Sequence, residues 1–236
     1  MKHVVVGDTH GRDYWKKILE KEKPSKIIFI GDYFDSYDIP YLEQMQNFKE
    51  ILELEDAIRL TGNHDYHYLP STVGRGEYYS GFQGGAVYMD IGQAVSNAIH
   101  EGKLTMAYQH REFLFTHAGV TMTWLLQHGI SLYDDIPQKL NDLLNYKPRV
   151  FHFNGVDHYG DDITQSPIWV RPKSLLSDSR PLGFVQVVGH TRVMNINPEG
   201  VDGKYYFIDV FDSRIEYLII EDGKVRVGTL TPEDLQ

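Results

Sequence analysis

An apolar strand that ends in a short run of polar residues is the feature of this sequence that most constrains its fold. Residues 4–6 are three valines, and Gly-Asp-Thr-His-Gly follows at once at residues 7–11. A short run of β-branched residues predicts a buried strand, and the glycine allows the backbone to turn immediately. Asp8 and His10 therefore lie at the C-terminal end of a strand. Carboxylate oxygen beside imidazole nitrogen is a ligand mix that suits Mn, Fe or Zn.

The same arrangement returns four more times, each time with polar side chains at the end of an apolar run. The five motifs are Gly-Asp-Thr-His-Gly at 7–11, Gly-Asp-Tyr-Phe-Asp at 31–35, Gly-Asn-His-Asp at 62–65, His-Ala-Gly at 117–119 and Gly-His at 189–190. Amphipathic patterns at residues 13–23 and 41–54 predict helices between the first three motifs. This alternation indicates an α/β fold with a parallel sheet, in which ligands bind beyond the carboxyl ends of the strands.

The same patterns predict the elements in the rest of the chain. Strands are expected at 26–30, 57–60, 104–108, 112–115, 184–188, 205–210, 214–221 and 224–230, and further helices at 91–100, 121–128 and 134–146. Residues 66–89 are rich in Tyr and Gly and predict loops near the site. Residues 148–180 lack clear periodicity and predict an irregular excursion that frames the substrate. Because no linker is apparent, residues 1–236 are expected to form a single domain.

Composition counts against several classes of protein. The chain has no cysteine, which excludes disulfides and thiolate metal sites and leaves Asp, Glu, Asn and His as metal ligands. A formal charge of −10 counts against broad binding to nucleic acid or acidic membranes. No run of about twenty apolar residues is present, so no membrane span is expected. The first strand leaves no room for a signal peptide, and a cytoplasmic location is therefore expected.

Taken in order, the five motifs resemble those of the calcineurin-like metallophosphoesterases. The spacing from Gly31 to Asp35 and the lone histidine after Gly189 resemble the branch that holds phosphoprotein phosphatases and symmetrical diadenosine tetraphosphate hydrolases. The resemblance extends from residue 4 to about residue 220. It implies a four-layer α/β/β/α sandwich of two mixed sheets. It also implies two divalent metal ions, with Mn favoured over Fe, Zn, Ni or Mg.

The resemblance implies a role for each motif residue. The implied metal ligands are Asp8 and His10 for the first ion, Asp32 for both ions, and Asn63, His117 and His190 for the second. His64 would be the general acid that protonates the leaving oxygen, and Asp35 would orient its ring. Asn63 is also expected to face the substrate, because a neutral ligand limits the negative charge there. Each residue has a structural alternative as well, such as a solvated loop residue or a buried core histidine.

The chemistry of phosphate esters fits this set of residues. Two metal ions about 3.5–4 Å apart generate a hydroxide and clamp the phosphoryl oxygens. A bridging carboxylate holds the two cations together despite their repulsion. A leaving alkoxide needs a proton, which a histidine with a pKa near the working pH provides.

The sequence also departs from the pattern of this branch. Ser36 stands where the protein phosphatases carry Arg, which removes one guanidinium that would bind phosphate. Arg171, in Ile-Trp-Val-Arg-Pro, is the predicted substrate-binding arginine, with Arg12 and Arg75 as weaker candidates. The structural alternative for Arg171 is stacking on Trp169.

Two groups of residues leave their roles open. The histidines and aspartates within residues 152–162 suggest either a third metal site or, as we favour, a polar loop. The aromatic residues between 66 and 88, with Tyr33 and Phe34 nearby, suggest either a platform that stacks a nucleobase or a cover that excludes water.

The predicted function is a dinuclear-metal phosphoesterase that hydrolyses phosphomonoesters with a metal-bound hydroxide. Phosphoserine and phosphothreonine in proteins are the favoured substrates. The alternative is a nucleotide or dinucleoside polyphosphate hydrolase, which residues 62–69 and 117–121 resemble more closely. The expected partner is thus a phosphorylated protein or a small phosphoester or nucleotide, with nucleic acid and membranes disfavoured and the oligomeric state open. A non-catalytic metal-binding scaffold predicts the loss of His64 or of the bridging Asp32, and both are present.

Overall fold

The computed structural model describes residues 1–69, 86–211 and 213–235. The strands within these residues are β1 (Lys2–Val6), β2 (Lys26–Phe29), β3 (Ala57–Arg59), β4 (Ala107–His110), β5 (Phe113–Thr116), β6 (Val185–Arg192), β7 (Tyr205–Asp209), β8 (Glu216–Glu221) and β9 (Lys224–Thr229). The helices are α1 (Tyr14–Glu22), α2 (Tyr41–Leu52), α3 (Asn63–Tyr66), α4 (Ala86–His100), α5 (Met122–Gln127), α6 (Ile136–Tyr146) and α7 (Pro172–Asp178), with 3-10 turns at Pro148–Phe151 and Arg180–Leu182. None of these helices is both long and apolar enough to cross a membrane.

The strands form two mixed sheets. The first has the order β3-β2-β1-β8-β9, with β1, β2 and β3 parallel and β8 antiparallel to β1. The second has the order β4-β5-β6-β7, with β5, β6 and β7 parallel and β4 antiparallel to β5. Consecutive residues Val4, Val5 and Val6 are fully buried, so both faces of β1 are covered, as in the inner layers of a sandwich. The predicted α/β class and two mixed sheets are confirmed.

The register of the parallel strands brings the ends of both sheets together. Val6 lies beside Phe29, and Phe29 beside Arg59, so β1, β2 and β3 end at the same level. In the second sheet Phe115 lies beside Val187, and Gly189 N donates to His117 O at 2.8 Å. Four of the motifs follow strands that end here, and Gly189-His190 lies within the C-terminal half of β6, so the polar side chains collect at one edge.

Gly31 illustrates why this edge needs glycine. Its φ is +111°, and a Cβ added there would lie 2.5 Å from Gly62 N. No side chain fits between the two loops, which run in direct backbone contact.

Several elements differ from the predictions. Residues 104–106 are not part of β4, because Thr105 instead bridges the first sheet: Thr105 N donates to Arg59 O at 3.0 Å, and Thr61 N donates to Thr105 O at 2.8 Å. The apolar character of Leu104 and Met106 reflects burial at this crossing.

The remaining differences concern strand and helix ends. β6 does not end at Val188 but continues to Arg192, with a shift of register in between. Helix α4 begins at Ala86, five residues before the predicted start at 91. The poorly periodic segment 148–180 contains helix α7, whose seven residues are too few for a clear amphipathic pattern.

A pair of histidines joins the two sheets at the edge away from the motifs. The ring of His3, on β1, lies 4.2 Å from the ring of His110, on β4. His3 is 2% exposed, and its Nδ1 has no hydrogen-bond partner among the described residues. Burial, followed by the charges of His110 and Lys26, lowers the pKa of His3 to about 4. The folded protein therefore holds this ring neutral.

We predict that His3→Leu makes the protein less sensitive to acid. Because the pKa of His3 is lower in the folded state than its ordinary value, the unfolded chain binds a proton between pH 6.5 and pH 4 and the folded chain does not. Wild type should lose about 2 kcal/mol of stability over this window from His3 alone. Urea unfolding at several pH values should show a shallower decline for the variant. Parallel declines in the two proteins would contradict the assignment.

Candidate active site

The motif residues meet in a cavity of about 480 Å³. Its walls are formed by Asp8, His10, Asp32, Asp35, Tyr37, Asn63, His64, Trp169, Arg171, His190, Arg192 and Asp209. Of the predicted site residues, only His117 is absent from these walls, because it is fully buried behind them. The size and the convergent polar groups are those of a small-ligand site.

The first group of ligand-type residues consists of Asp8, His10 and Asp32. Their ligating atoms all lie within 4.8 Å of one another. The carboxylates come from the loops after β1 and β2, which are tied by the backbone: His10 N donates to Asp32 O at 2.8 Å. Asp32 Oδ2 lies 4.0 Å from His10 Nε2 and 3.4 Å from His117 Nε2. This one oxygen therefore faces histidines of both predicted metal positions.

The second group consists of Asn63, His117 and His190. Asn63 Oδ1 lies 2.9 Å from His117 Nε2 and 2.8 Å from His190 Nδ1. Asn63 begins helix α3 in the first sheet's half of the site, whereas the histidines follow β5 and lie in β6. The group therefore forms only where the ends of the two sheets meet.

The three histidines of these groups share one arrangement. His10 Nδ1 lies 2.6 Å from Phe34 O, His117 Nδ1 lies 3.0 Å from Ile30 O, and His190 Nε2 lies 3.1 Å from Trp169 O. A carbonyl oxygen only accepts, so each of these ring nitrogens carries the proton. The other nitrogen of each ring then faces the oxygens of Asp32 or Asn63. Histidines oriented in this way are typical of metal ligands, and the donor set fits divalent cations.

Charge in the cavity also favours cations. Burial, followed by the nearby Asp209 and Asp32 carboxylates, raises the pKa of Asp8 well above its usual range. Burial alone would also raise the pKa of Asp32, but His117, His64 and His10 hold that pKa well below its usual range. Burial lowers the pKa of the His190 imidazole well below its usual range, which keeps this ring neutral. The carboxylates of Asp8, Asp32 and Asp209 are close neighbours, and a divalent cation bound among them would offset their mutual repulsion.

The backbone at this site adopts unusual conformations. Eight described residues other than glycine have positive φ, and four of them are His10, Asp32, Asp35 and His190, with φ of 43°, 53°, 66° and 62°. Such conformations are uncommon for non-glycine residues and collect at functional sites. The surrounding hydrogen bonds therefore hold these side chains in orientations that a relaxed loop would not adopt.

Asp65 is a supporting residue for which the sequence predicted no role. Its carboxylate accepts hydrogen bonds from the backbone N–H groups of Asp32 (2.8 Å), Tyr33 (2.8 Å) and Gly62 (2.9 Å). Burial and the Asp32 charge raise the pKa of Asp65 to about 7, although the N–H donors favour its ionised form. Asp65 joins the loops after β2 and β3, and so fixes where Asp32 and Asn63 lie.

His64 and Asp35 form a second type of arrangement in the same cavity. His64 Nδ1 lies 2.7 Å from Asp35 Oδ2, and the side chain of His64 is 20% exposed towards the cavity. Burial works against protonation, but Asp32 and Asp35 raise the pKa of His64 above its ordinary value. The raised pKa favours the protonated ring, and His64 lines the cavity.

His67 adds a third member to this pair. Its Nε2 lies 2.9 Å from Asp35 Oδ2, and the ligating atoms of Asp35, His64 and His67 all lie within 4.8 Å of one another. Asp35, His64 and His67 thus form a further group of side chains that is able to hold a metal ion. The sequence did not predict this group. Both nitrogens approach one carboxylate oxygen at hydrogen-bond distance, so the group also works as a proton-bearing network without an ion.

Two arginines line the cavity. Arg171, the predicted substrate-binding residue, caps the N-terminus of α7, and its Nη1 donates to His190 O at 3.0 Å and to Thr191 Oγ1 at 3.1 Å. Arg192, at the end of β6, also lines the cavity and was missed. Arg12 does not line the cavity and lies 3.7 Å from Asp38, and Arg75 is outside the described residues.

Ser36 is directed away from the cavity. Its hydroxyl donates to Asp38 Oδ1 at 2.7 Å and accepts from Ile39 N at 3.2 Å. It stabilises its own loop, and nothing in these contacts substitutes for the guanidinium of the protein phosphatases.

The suggestion that aromatic residues form a platform for a nucleobase is wrong for four of them. Tyr33, Phe34, Tyr66 and Tyr68 are at most 1% exposed and pack in the core, so they are not available to stack a base. The aromatic residues between 70 and 85 lie outside the described residues.

The polar segment 152–162 uses its carboxylates within the chain. Asp157 Oδ1 accepts from Tyr159 N and Asp161 N, and Asp161 Oδ1 accepts from Ser174 N at the start of α7. No third metal group includes these residues within the described part of the chain. The polar-loop interpretation fits these contacts.

Asp209 and Arg192 were not predicted as site residues, because the sequence around each of them gives little indication of such a role. Asp209 is the last residue of β7 and is 6% exposed, and the only trace of it in the sequence is an acidic residue within the apolar run Tyr-Phe-Ile-Asp-Val-Phe. Arg192 lies two residues beyond His190 on the same strand. A strand that ended at 188 gave no reason to consider it.

The profile of the calcineurin-like phosphoesterase family matches residues 1–193. The chain belongs to this family, which confirms the resemblance carried by the five motifs. It is therefore a metal-dependent phosphatase, a hydrolase of phosphoric ester bonds, and the Asp8-His10-Asp32 and Asp35-His64-His67 groups are able to hold metal ions.

Solved structures share the fold at low sequence identity. A cold-active protein tyrosine phosphatase is 18% identical with a TM-score of 0.58, over 97% of this chain and 77% of that one. A protein serine/threonine phosphatase of Saccharomyces cerevisiae is 14% identical with a TM-score of 0.57, over 98% and 79%. A metallophosphoesterase of Sphaerobacter thermophilus is 14% identical with a TM-score of 0.53, over 98% and 88%. No curated protein matches the sequence.

We predict that Asp65→Asn destabilises the metal-free protein by about 3 kcal/mol, because an amide nitrogen would then face buried N–H groups that now bond to a carboxylate. Urea unfolding measures this loss. The matched control is Asp134→Asn, since Asp134 also accepts from a backbone N–H, that of Ser131 at 2.7 Å, but in a partly exposed turn. Equal losses in the two variants would show that Asp65 contributes no more than an ordinary turn residue.

Proposed function

We propose that this protein is a dinuclear-metal phosphoesterase that hydrolyses phosphomonoesters, with phosphorylated serine or threonine in proteins as the substrate. The observation that supports this most directly is Asp32 Oδ2. It faces His10 Nε2 on one side and His117 Nε2 on the other, and both rings are anchored by backbone carbonyls. A carboxylate between two sets of lone pairs is suited to two cations held close together.

The proposed ligand sets follow from this arrangement. They are Asp8, His10 and Asp32 for one ion, and Asp32, Asn63, His117 and His190 for the other. We expect Mn, with Fe, Zn, Ni or Mg as alternatives that the same oxygen and nitrogen donors accept. Cations bound there supply positive charge for the phosphoryl oxygens and lower the pKa of water.

The other cavity residues have roles that follow from their contacts. His64 carries a proton at the nitrogen that faces the cavity and would transfer it to the leaving oxygen. Asp35 accepts from His64 Nδ1 at 2.7 Å, which fixes the ring and favours its protonated form. Arg171 is anchored to His190 O and Thr191 Oγ1 and would bind the substrate phosphate. Asn63, a neutral side chain, would adjoin the same phosphate without repelling it.

Two lines of support favour a protein substrate. Two of the solved structures with this fold are named as protein phosphatases. Four of the aromatic residues that the alternative could use to stack a base are buried in the core. A nucleotide or dinucleoside polyphosphate hydrolase nevertheless remains the alternative, because residues 62–69 and 117–121 resemble that group.

The substrate class is tested by product analysis on Mn-loaded protein. A phosphoserine peptide and diadenosine tetraphosphate are supplied in parallel, each with a chelator-treated control. We expect inorganic phosphate from the peptide and no reaction in the chelated samples. Nucleoside diphosphate from the dinucleotide, with the peptide unchanged, would favour the alternative. If the metal-loaded protein turns over neither substrate, both the proposed function and the alternative are contradicted.

The role of His64 is tested by His64→Asn. We expect kcat to fall by about 10²–10⁴-fold, the range for loss of a general acid, with metal content unchanged. Metal content is measured by elemental analysis of the dialysed protein. The control is His100→Asn, because His100 is exposed at the end of α4 and does not line the cavity. Retained turnover in His64→Asn would remove His64 from the mechanism.

A further inference from the structure

Tyr68 lies against the carboxylate that orients His64. Its hydroxyl donates a hydrogen bond to Asp35 Oδ1, while His64 Nδ1 lies 2.7 Å from Asp35 Oδ2. The two oxygens of one carboxylate therefore contact the two side chains separately. A change at the Tyr68 hydroxyl therefore reaches His64 through the Asp35 carboxylate.

Packing holds the Tyr68 ring in one position. Tyr68 is fully buried, and its ring lies 4.5 Å from His67, 5.5 Å from Tyr88 and 6.1 Å from Phe34. Its backbone is also confined, since a Cβ added to Gly92 of α4 would lie 2.5 Å from Tyr68 O. The hydroxyl is therefore presented to Asp35 from a rigid support.

Asp35 needs support of this kind. It lies in the loop after β2 with φ of +66°, and its side chain has no exposed surface. His67 Nε2 also lies 2.9 Å from Asp35 Oδ2, the oxygen that faces His64. Tyr68 instead holds Oδ1 directly, and so fixes the plane of the carboxylate that His64 meets.

We propose that Tyr68 is a positioning residue for proton donation by His64. The hydroxyl fixes Asp35, and Asp35 fixes the imidazole so that Nε2 faces the leaving oxygen. When the P–O bond of the substrate breaks, its electron pair stays on the leaving oxygen, which takes the proton from Nε2. The oxygen of a water molecule forms the new P–O bond, and the proton that this water releases restores the protonated His64. The inference rests on the proposed function, because it requires His64 to be the acid.

The dependence of kcat on the leaving group distinguishes a role of Tyr68 in proton donation from a merely structural role. The alkoxide of serine is strongly basic and must be protonated as it leaves, whereas 4-nitrophenolate is weakly basic and leaves without a proton. Loss of positioned proton donation therefore lowers kcat for a phosphoserine peptide more than for 4-nitrophenyl phosphate. General damage to the site lowers both together.

The experiment compares Tyr68→Phe with Tyr66→Phe in Mn-loaded protein. Tyr66 is the matched control, because it is also buried and its hydroxyl donates to Pro148 O at 2.5 Å, away from Asp35. We measure the ratio of kcat for the phosphoserine peptide to kcat for 4-nitrophenyl phosphate. This ratio does not depend on the fraction of folded enzyme, so a partly unfolded variant still gives an answer.

We expect Tyr68→Phe to lower this ratio by about tenfold, the lower end of what a hydrogen bond to a charged group contributes. Tyr66→Phe should leave it unchanged. In a His64→Asn background, Tyr68→Phe should cause no further loss, because both substitutions act on the same proton. An equal fall for both substrates, or a loss that adds to that of His64→Asn, would overturn the role of Tyr68.

His64→Asn separates this inference from the proposed function. If that variant leaves the ratio unchanged, His64 is not the acid, and both the proposed mechanism and the role of Tyr68 fail. If His64→Asn lowers the ratio and Tyr68→Phe does not, only the role of Tyr68 fails.

A second measurement does not depend on turnover. The proton on His64 Nδ1 is hydrogen-bonded to a carboxylate and should give a resolved downfield NMR signal in the metal-free protein. We expect Tyr68→Phe to shift or broaden this signal, and Tyr66→Phe to leave it in place. The same signal in both variants would show that the ring is fixed without Tyr68.

Discussion

The backbone and side chain of Asp32 join the loops on which the rest of the site depends. Its carbonyl oxygen accepts from Thr9 N and His10 N, its N–H donates to Asp65, and Oδ1 accepts from His64 N at 2.8 Å. One residue thus connects the loops after β1, β2 and β3. Burying a carboxylate at 1% exposure is costly unless it is paired and hydrogen-bonded. The histidines and N–H groups around Asp32 offset that cost, which ties the position of each motif to the others.

The site also depends on how the two sheets meet. The first sheet supplies Asp8, Asp32 and Asn63, and the second supplies His117, His190 and Asp209. Contacts across this junction are direct: His190 N donates to Asp8 at 3.0 Å, and His117 Nδ1 donates to Ile30 O at 3.0 Å. Close approach is possible because Gly189 has no side chain, since a Cβ there would lie 2.0 Å from Asp8 Oδ1. The two halves of the cavity therefore come together only in the folded sandwich, because no short segment of the chain contains the residues of both sheets.

The sequence predicted the parts of this site that directly follow strands. Asp8, His10, Asp32 and Asn63 were predictable because a run of apolar residues fixes where a strand ends, and parallel strands end together. Tyr68 was not, because its hydroxyl reaches Asp35 across 33 residues of chain and its aromatic ring appears in the sequence as one more core residue. The elements of the fold were likewise predictable only where the sequence pattern is long enough to recognise. Long periodic elements such as α2 were predicted within two residues, whereas α7, with seven residues, has too little pattern to recognise. Positive φ at His10, Asp32, Asp35 and His190 has no local sequence signal, because the surrounding hydrogen bonds impose it.

The three carboxylates of Asp8, Asp32 and Asp209 link the survival of the protein to its supply of metal. Without a cation, the folded state alone bears their mutual repulsion, since the unfolded chain separates them. A cation that binds the folded state and not the unfolded chain adds stability that grows with the logarithm of its free concentration. The population of unfolded molecules open to proteases thus falls as metal becomes abundant. A cell poor in the metal would contain less of the enzyme as well as less active enzyme.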